Sequence, residues 1–189
     1  MANKIKYGLR NVYYAVATEG EGGVLTYGTP VRIPGAVNMS IDPEGETNPF
    51  YADDIIYYQS NSNNGYAGTL EVALLPSSFY TDILGEIEDD NDVVFEKASA
   101  TGKEFALLFE FQGDESATRH AFYRCSAQRP PVTGNTKEAG ITPQTETLNI
   151  TVMPRISDYI VKSRCPASAT QYNSWFSTVY SAPVIAATT

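Results

Sequence analysis

The chain predicts a mainly β fold, a sandwich or barrel with one flanking α-helix. Three observations carry that expectation. Short runs of alternating apolar and polar residues recur at regular spacing between turn residues. Thirteen tyrosines and eight phenylalanines supply side chains that fit pleated sheets and interfaces. Only one short stretch combines a helical period with its own start and stop signals. At 189 residues the chain is sized for one domain, 1–189, with a sizeable core.

The elements follow in order. Residues 7–18 read as a strand with Val12, Tyr14 and Val16 on one face and Tyr13, Ala15 and Ala17 on the other. After the turn at Gly20-Glu-Gly-Gly23, residues 24–27 resume in extended form. Pro30 and Pro34 bracket a short edge-like piece around Val31 and Ile33. Residues 36–41 alternate, with Val37, Met39 and Ile41 expected inward. Residues 69–75 alternate next, with Leu70, Val72 and Leu74 on one face, and Pro76 ends them. Phe79, Tyr80, Ile83 and Leu84 then stand at helical spacing, with Ser77 or Ser78 as the expected cap and Gly85 past the end. Residues 93–96 and 105–112 read as strands, and Phe105, Leu107, Phe109 and Phe111 on one face are the strongest core signal. Residues 119–128 and 145–152 are two more, and 156–162 adds another. Tyr172, Trp175, Phe176 and Val179 at helical spacing predict a short C-terminal helix. The tail at 181–189 carries no pattern and reads as flexible.

One segment does not fit a simple strand-and-turn reading. Residues 42–64 are long and polar, with Pro43, Gly45 and Pro49 near one end and Asn61, Asn63 and Asn64 near the other. Loops of this length are usually functional or disordered. Yet Phe50, Tyr51, Ile55, Ile56, Tyr57 and Tyr58 lie within it, and a disordered linker is poor in such residues. The segment reads as a protruding arm or hairpin whose apolar side chains are covered by something else, or as a stretch folded back on its own domain.

Charge narrows the function classes. The net charge of −9 argues against a phosphate-binding surface. Between Arg32 and Lys97 there are thirteen acids and no Lys or Arg; the remainder holds nine acids and all thirteen basic residues, a net +4. Such asymmetry is a prior for interaction: in an isolated protein it reads first as a solvated acidic face, and in a chain that stacks on its own copies as complementary faces. Two cysteines, Cys125 and Cys165, are not a disulfide framework and are expected to be free and partly buried thiols. The opening residues lack the apolar core of a signal peptide. No window approaches the ~18 apolar residues of a membrane span.

Catalytic signals are thin. His120, the only histidine, lies in a strand with no glycine-framed serine nearby. Asp53 and Asp54 are adjacent, so on a strand they would point to opposite faces and make a poor acid–base pair. The acidic run 86–92 lacks the alternating ligands and central glycine of a calcium loop. No phosphate-cradling glycine motif is present. The expectation is a protein without enzymatic activity, cofactor or metal.

The run Tyr51-Ala-Asp-Asp-Ile-Ile-Tyr-Tyr58, followed by Gly65-Tyr-Ala-Gly-Thr-Leu-Glu-Val-Ala-Leu-Leu-Pro76, resembles the major tail proteins of long-tailed, non-contractile bacteriophages, which stack into the tail tube. Tyr7-Gly-Leu-Arg-Asn-Val-Tyr-Tyr-Ala15, Tyr27-Gly-Thr-Pro-Val31, Pro34-Gly-Ala-Val-Asn38, Asp42-Pro-Glu-Gly-Glu46, Thr145-Glu-Thr-Leu148 and Asn173-Ser-Trp-Phe176 extend the resemblance in order along most of the chain. Residues 155–169 and 181–189 depart from it. The resemblance implies a β-sandwich with a flanking helix, assembled into hexameric rings that stack into a tube delivering DNA to the host. It implies a tape measure protein and tail terminator or distal tail proteins as partners, DNA passing without specific binding, no membrane, and a place in the virion after assembly in the host cytoplasm. Phe50, Tyr51, Asp53, Asp54, Ile55, Ile56, Tyr57 and Tyr58 become expected subunit contacts. Thr145, Thr147, Asn149 and Thr151, a small uncharged polar row, become the expected lumen-facing residues. The alternative is a carbohydrate- or receptor-binding β-sandwich module of a phage tail or adhesin, served by exposed tyrosines and Trp175.

Overall fold

The computed structural model describes residues 5–114, 116–136 and 143–181, so the expected flexible tail lies outside the described residues except for Ser181. Thirteen strands are described: β1 (Leu9–Glu19), β2 (Leu25–Tyr27), β3 (Val31–Ile33), β4 (Ala36–Glu44), β5 (Thr47–Ala52), β6 (Ile55–Asn61), β7 (Gly65–Val72), β8 (Ile87–Glu88), β9 (Val94–Phe95), β10 (Phe105–Phe111), β11 (Arg119–Ala127), β12 (Glu146–Met153) and β13 (Lys162–Cys165). The fold is mainly β with one short helix. Nine strands form one sheet in the order β2–β1–β10–β11–β12–β7–β4, with β3 also on β1 and β13 also on β11. The sheet divides at β11. Its first half, Arg119 to Phe122, pairs with β13, and its second half, Arg124 to Ala127, pairs with β12. The β12–β7–β4 wing thereby becomes a second layer, and β4 comes back against β1.

The main core fills the space between these layers. Val12 and Tyr14 of β1, Leu70 and Val72 of β7, Phe105 and Leu107 of β10, and Leu148, Ile150 and Val152 of β12 are all buried there with Phe79 and Ile83. Tyr14 ties the helix to the sheet. Its ring meets Phe79 edge-on at 5.1 Å, and its hydroxyl lies 2.9 Å from Ser78 Oγ and 3.0 Å from Asp82 Oδ2. Burial pushes that phenol up to about 12.

A second core covers the opposite face of the same central strands. Ala15, Ala106, Leu108, Ala121 and Tyr123 pack there against Trp175 and Val179. Hence β10 is buried on both faces, where the sequence pattern marked only the Phe105–Phe111 face. Glu110, its one charged residue, is buried and accepts Arg10 Nε at 2.9 Å, Asn11 Nδ2 at 2.7 Å and Arg119 Nε at 3.0 Å. The Arg119 guanidinium lies 3.8 Å from the Tyr172 ring centroid, near Phe176, and donates to the Tyr172 carbonyl. A buried carboxylate thus holds the arginine that clamps the C-terminal segment onto the sheet.

Several expectations need correcting. The C-terminal segment is a chain of turns, not a helix. Its bonds run from Ala169 to Pro166, Tyr172 to Ala169 and Trp175 to Tyr172, and Ser174 Oγ competes for the Gln171 carbonyl. The flanking helix, Ser77–Phe79, widens into a single π turn, Tyr80–Leu84, before Gly85 turns left-handed at φ 79°. Neither serine caps it: Pro76 is the N-cap, and Ser78 is engaged by Tyr14. Val37 is exposed rather than inward because the β4–β7 ladder slips between Ala36 and Asn38. Leu74 is exposed because β7 stops at Val72, and Leu75 is buried instead. Residues 156–161 are not strand, since a turn held by the Arg155–Asp158 ion pair precedes β13. Cys125 and Cys165 are both free and buried, and burial pushes the Cys125 thiol well up.

Phe105 is fully buried and stacks edge-on against Phe79. Phe105→Ala is expected to lower unfolding free energy by about 3–5 kcal/mol in urea titrations. A loss below about 1 kcal/mol would remove Phe105 from the core.

Candidate assembly interface

Residues 42–64 hold no loose loop. The β4–β7 ladder continues past Glu44 and Gly65 through bonds from Asn64 N to Glu44 O and from Ser62 N to Glu46 O, both 2.9 Å, into the β5–β6 hairpin. Gly65, at φ 114°, lies so close to β12 that a Cβ would meet Val152 O at 2.0 Å. Polar cross-strand contacts line the arm's base: Ser62 Oγ accepts from Glu46 N at 2.8 Å, and Thr47 Oγ1 meets Asn61 Oδ1 at 3.0 Å. At the tip, Asp53 and Asp54 have φ of 52° and 62°, the two left-handed residues of a type I′ turn. Aspartate tolerates that conformation better than bulky residues do. The hairpin, six residues in β5 and seven in β6, reaches roughly 20 Å at ~3.3 Å per residue.

Its side chains explain why it is unusual. Phe50 pairs with Tyr58, Tyr51 with Ile56, and Ala52 with Ile55, with a register slip that leaves Tyr57 unpaired. Alternation therefore places Phe50, Tyr58 and Ile55 on one face and Tyr51 and Ile56 on the other. All six large apolar residues are between 52% and 70% exposed. A surface hairpin lying on its own domain would bury one face. This one buries neither.

The four polar residues of the late strand separate slightly. Thr147, Asn149 and Thr151 lie on β12 and alternate with buried Leu148, Ile150 and Val152. Thr145 precedes the strand and donates to Glu71 Oε1 at 2.7 Å. Across the ladder they neighbour Glu71, Thr69 and Ala67 of β7, then Asn38, Ser40 and Asp42 of β4. The result is a sheet face of small polar side chains with two carboxylates and no cation among those positions. Beyond it, β4 has an open edge among the described strands, broken by the slip at Val37 and by Pro43.

The acidic run after the helix has a local structural role. The Asp89 carboxylate accepts its own turn's amides from Asn91 and Val93, each at 2.9 Å, and those bonds hold its carboxyl below the usual range.

A groove of about 290 Å³ opens between β4 and the β10–β11–β13 strands. Met39, Ile41, Phe109 and Phe111 line it, His120 stacks on Phe109 at 5.1 Å, and Lys162 and Arg164 form part of its rim. Lys6 Nζ stands 4.7 Å from the Phe111 ring and Lys162 Nζ 4.4 Å from the Tyr66 ring. The sequence did not mark this groove as a site; its signal was the basic excess outside residues 33–96.

No family model matches the chain, and no curated protein matches it. Among solved structures, it is similar to a chain in the cryo-EM structure of the anti-feeding prophage (AFP) baseplate, 6-fold symmetrised. The identity is 8% and the TM-score 0.49, over 89% of this chain and 99% of that one. At those values the likeness carries no function across.

Two outcomes follow. Burial, with Lys6, Arg164 and Lys162 nearby and Asp114 opposing, holds the His120 pKa below its usual 6.5. The folded protein therefore prefers the neutral ring. This contribution is intact above pH 6.5 and is lost progressively as pH falls from there toward the depressed folded value. Urea midpoints should fall between pH 7.5 and 5.5, and His120→Phe should flatten that slope; an unchanged slope would place the titrating group elsewhere. Separately, replacing residues 47–61 by Asn-Gly, joining the bonded pair Glu46 and Ser62, should leave the circular dichroism spectrum and urea midpoint near wild type. Unfolding would make the hairpin part of the core.

Proposed function

We propose that this chain is a structural, non-catalytic subunit of a phage-type tail tube that self-assembles into stacked hexameric rings. The observation that carries the reading is the arm: a stiff hairpin, continuous with the sheet, with large apolar side chains uncovered on both faces. Apolar surface of that kind marks an interaction site. Two uncovered faces suit insertion between other subunits better than docking on one flat partner.

The rest of the molecule fits the same reading. Joining open strand edges across subunits removes surfaces that would otherwise aggregate. The β12–β7–β4 face suits a wet channel wall, because small hydroxyl and amide groups stay hydrated and Asp42 and Glu71 repel nucleic-acid phosphates. In this reading DNA passes through without specific binding. A tape measure protein and tail terminator or distal tail proteins bound the tube, and the subunit ends in the virion after assembly in the host cytoplasm. The order of sequence motifs from Tyr7 to Phe176 supports the tail-tube family.

The test is negative-stain electron microscopy of the purified protein over a concentration series. Rings or tubes are expected, absent from the Asn-Gly arm replacement. Light scattering over a sodium chloride series should show slower growth as salt rises, because screening shortens electrostatic reach from about 8 Å at physiological salt to about 3 Å at 1 M. A protein that stays monomeric at every concentration would overturn the reading. Growth unaffected or accelerated by salt would leave apolar contact alone as the driving force.

A further inference from the structure

We propose that the aromatic groove between β4 and the β10–β11–β13 strands receives the β5–β6 hairpin tip of a second copy of this chain. The inference rests on the self-assembly reading and adds the receptor for the arm.

The two surfaces are complementary in chemistry. The tip offers Phe50, Tyr51, Ile55, Ile56 and Tyr58 around a turn that bears two adjacent carboxylates, Asp53 and Asp54. The groove offers Met39, Ile41 and Phe111, half-buried and open to one side, below a rim of Lys6, Lys162 and Arg164. Two of those cations already stand over rings, so their ammonium groups are held at the lip of the aromatic floor. An aspartate arriving there would meet cations at a partly desolvated site, where charge-assisted contacts are stronger than on open surface. The hairpin itself lies in the stretch between Arg32 and Lys97 that holds thirteen acids and no base, and its receptor's cations lie outside that stretch.

The tip does not occupy the groove of its own chain. No residue of 47–61 lines the groove, and the ladder continuous with β4 and β7 carries the tip outward from its own base. The tip of one copy and the groove of the next make a heterologous contact, which propagates around a ring or along a stack.

Charge reversal tests this without knowledge of the final geometry. One variant carries Asp53→Lys and Asp54→Lys, so its tip and groove are both basic. A second carries Lys162→Glu and Arg164→Glu, so its tip and groove are both acidic. Each should stay folded by circular dichroism and need at least about tenfold more protein to assemble than wild type, several weakened pairs together reaching that scale. Mixed one to one, they should co-assemble near the wild-type concentration, because each tip then meets a groove of opposite charge. Either variant assembling alone like wild type, or a mixture no better than its components, overturns the inference. A photo-crosslinking residue at Tyr57 in the otherwise native chain gives a second readout. Intermolecular crosslinks should map to 39–41, 109–111 or 162–164, and crosslinks confined to other surfaces overturn it. Failure of the tail reading looks different, because the wild-type protein itself would then form no assembly and no intermolecular crosslink.

Discussion

The fold depends on covering β10 on both sides. Phe105 to Leu108 is apolar at every position, so neither face of this strand can meet water without cost. One face is met by the helix and the β12–β7–β4 wing, the other by the turns around Trp175 and Val179. That demand explains the split at β11, because a single flat sheet would leave one face of β10 bare. It also explains the buried Glu110. An outer layer made of turns has little hydrogen-bonded regularity of its own, and the Glu110–Arg119 pair fixes it through the stack on Tyr172. A buried carboxylate is stable only with such partners, and three donors satisfy it.

Against these two cores the arm stands apart because its exposed apolar residues are gathered on one hairpin, whereas Ile5, Leu74, Val132 and Tyr159 are exposed at separate places. The same chain that buries Trp175 and two sides of β10 leaves six large apolar residues of one hairpin in water. An isolated two-stranded hairpin is marginal. Here continuity with β4 and β7, a type I′ turn and polar pairs at the base keep it formed before any partner arrives. A preformed arm loses less conformational freedom on docking than a loop that must first order.

Much of this was legible in sequence. Period-two alternation located β1, β7, β10 and β12 because one face of each is uniformly apolar. The arm was legible from length and aromatic content together, although its hairpin register was not, since both faces carry apolar residues and alternation gives no direction. The C-terminal segment misled because the spacing of Tyr172, Trp175, Phe176 and Val179 reports which side chains share a face. Turns bonded every third residue satisfy that spacing as well as a helix does. Val37 misled because one slipped residue in a ladder reverses the face without changing the pattern. The groove was invisible locally. Lys6, Met39, Phe111, His120 and Lys162 come from distant parts of the chain, and only the global charge asymmetry hinted that basic residues would gather.

The distribution of charge and apolar surface then has a single physical logic. An exposed aromatic hairpin invites indiscriminate association through its edge and faces. Carboxylates at its tip oppose that, since two arms meeting tip to tip bring four negative charges together. The same carboxylates favour approach to a cationic lip. Charge contributes mainly to encounter and to the choice of partner. Burial of Phe50, Tyr51 and Tyr58 contributes mainly to how long the contact lasts, because each buried aromatic removes a large apolar area from water. Under the proposed self-assembly, separating the two roles would let a subunit remain dispersed while dilute and commit when copies meet in the right orientation. In such an assembly salt and truncation would act on different stages: screening would slow the approach of copies that still hold once docked, whereas shortening the aromatic side chains would leave the approach intact and shorten the life of the contact.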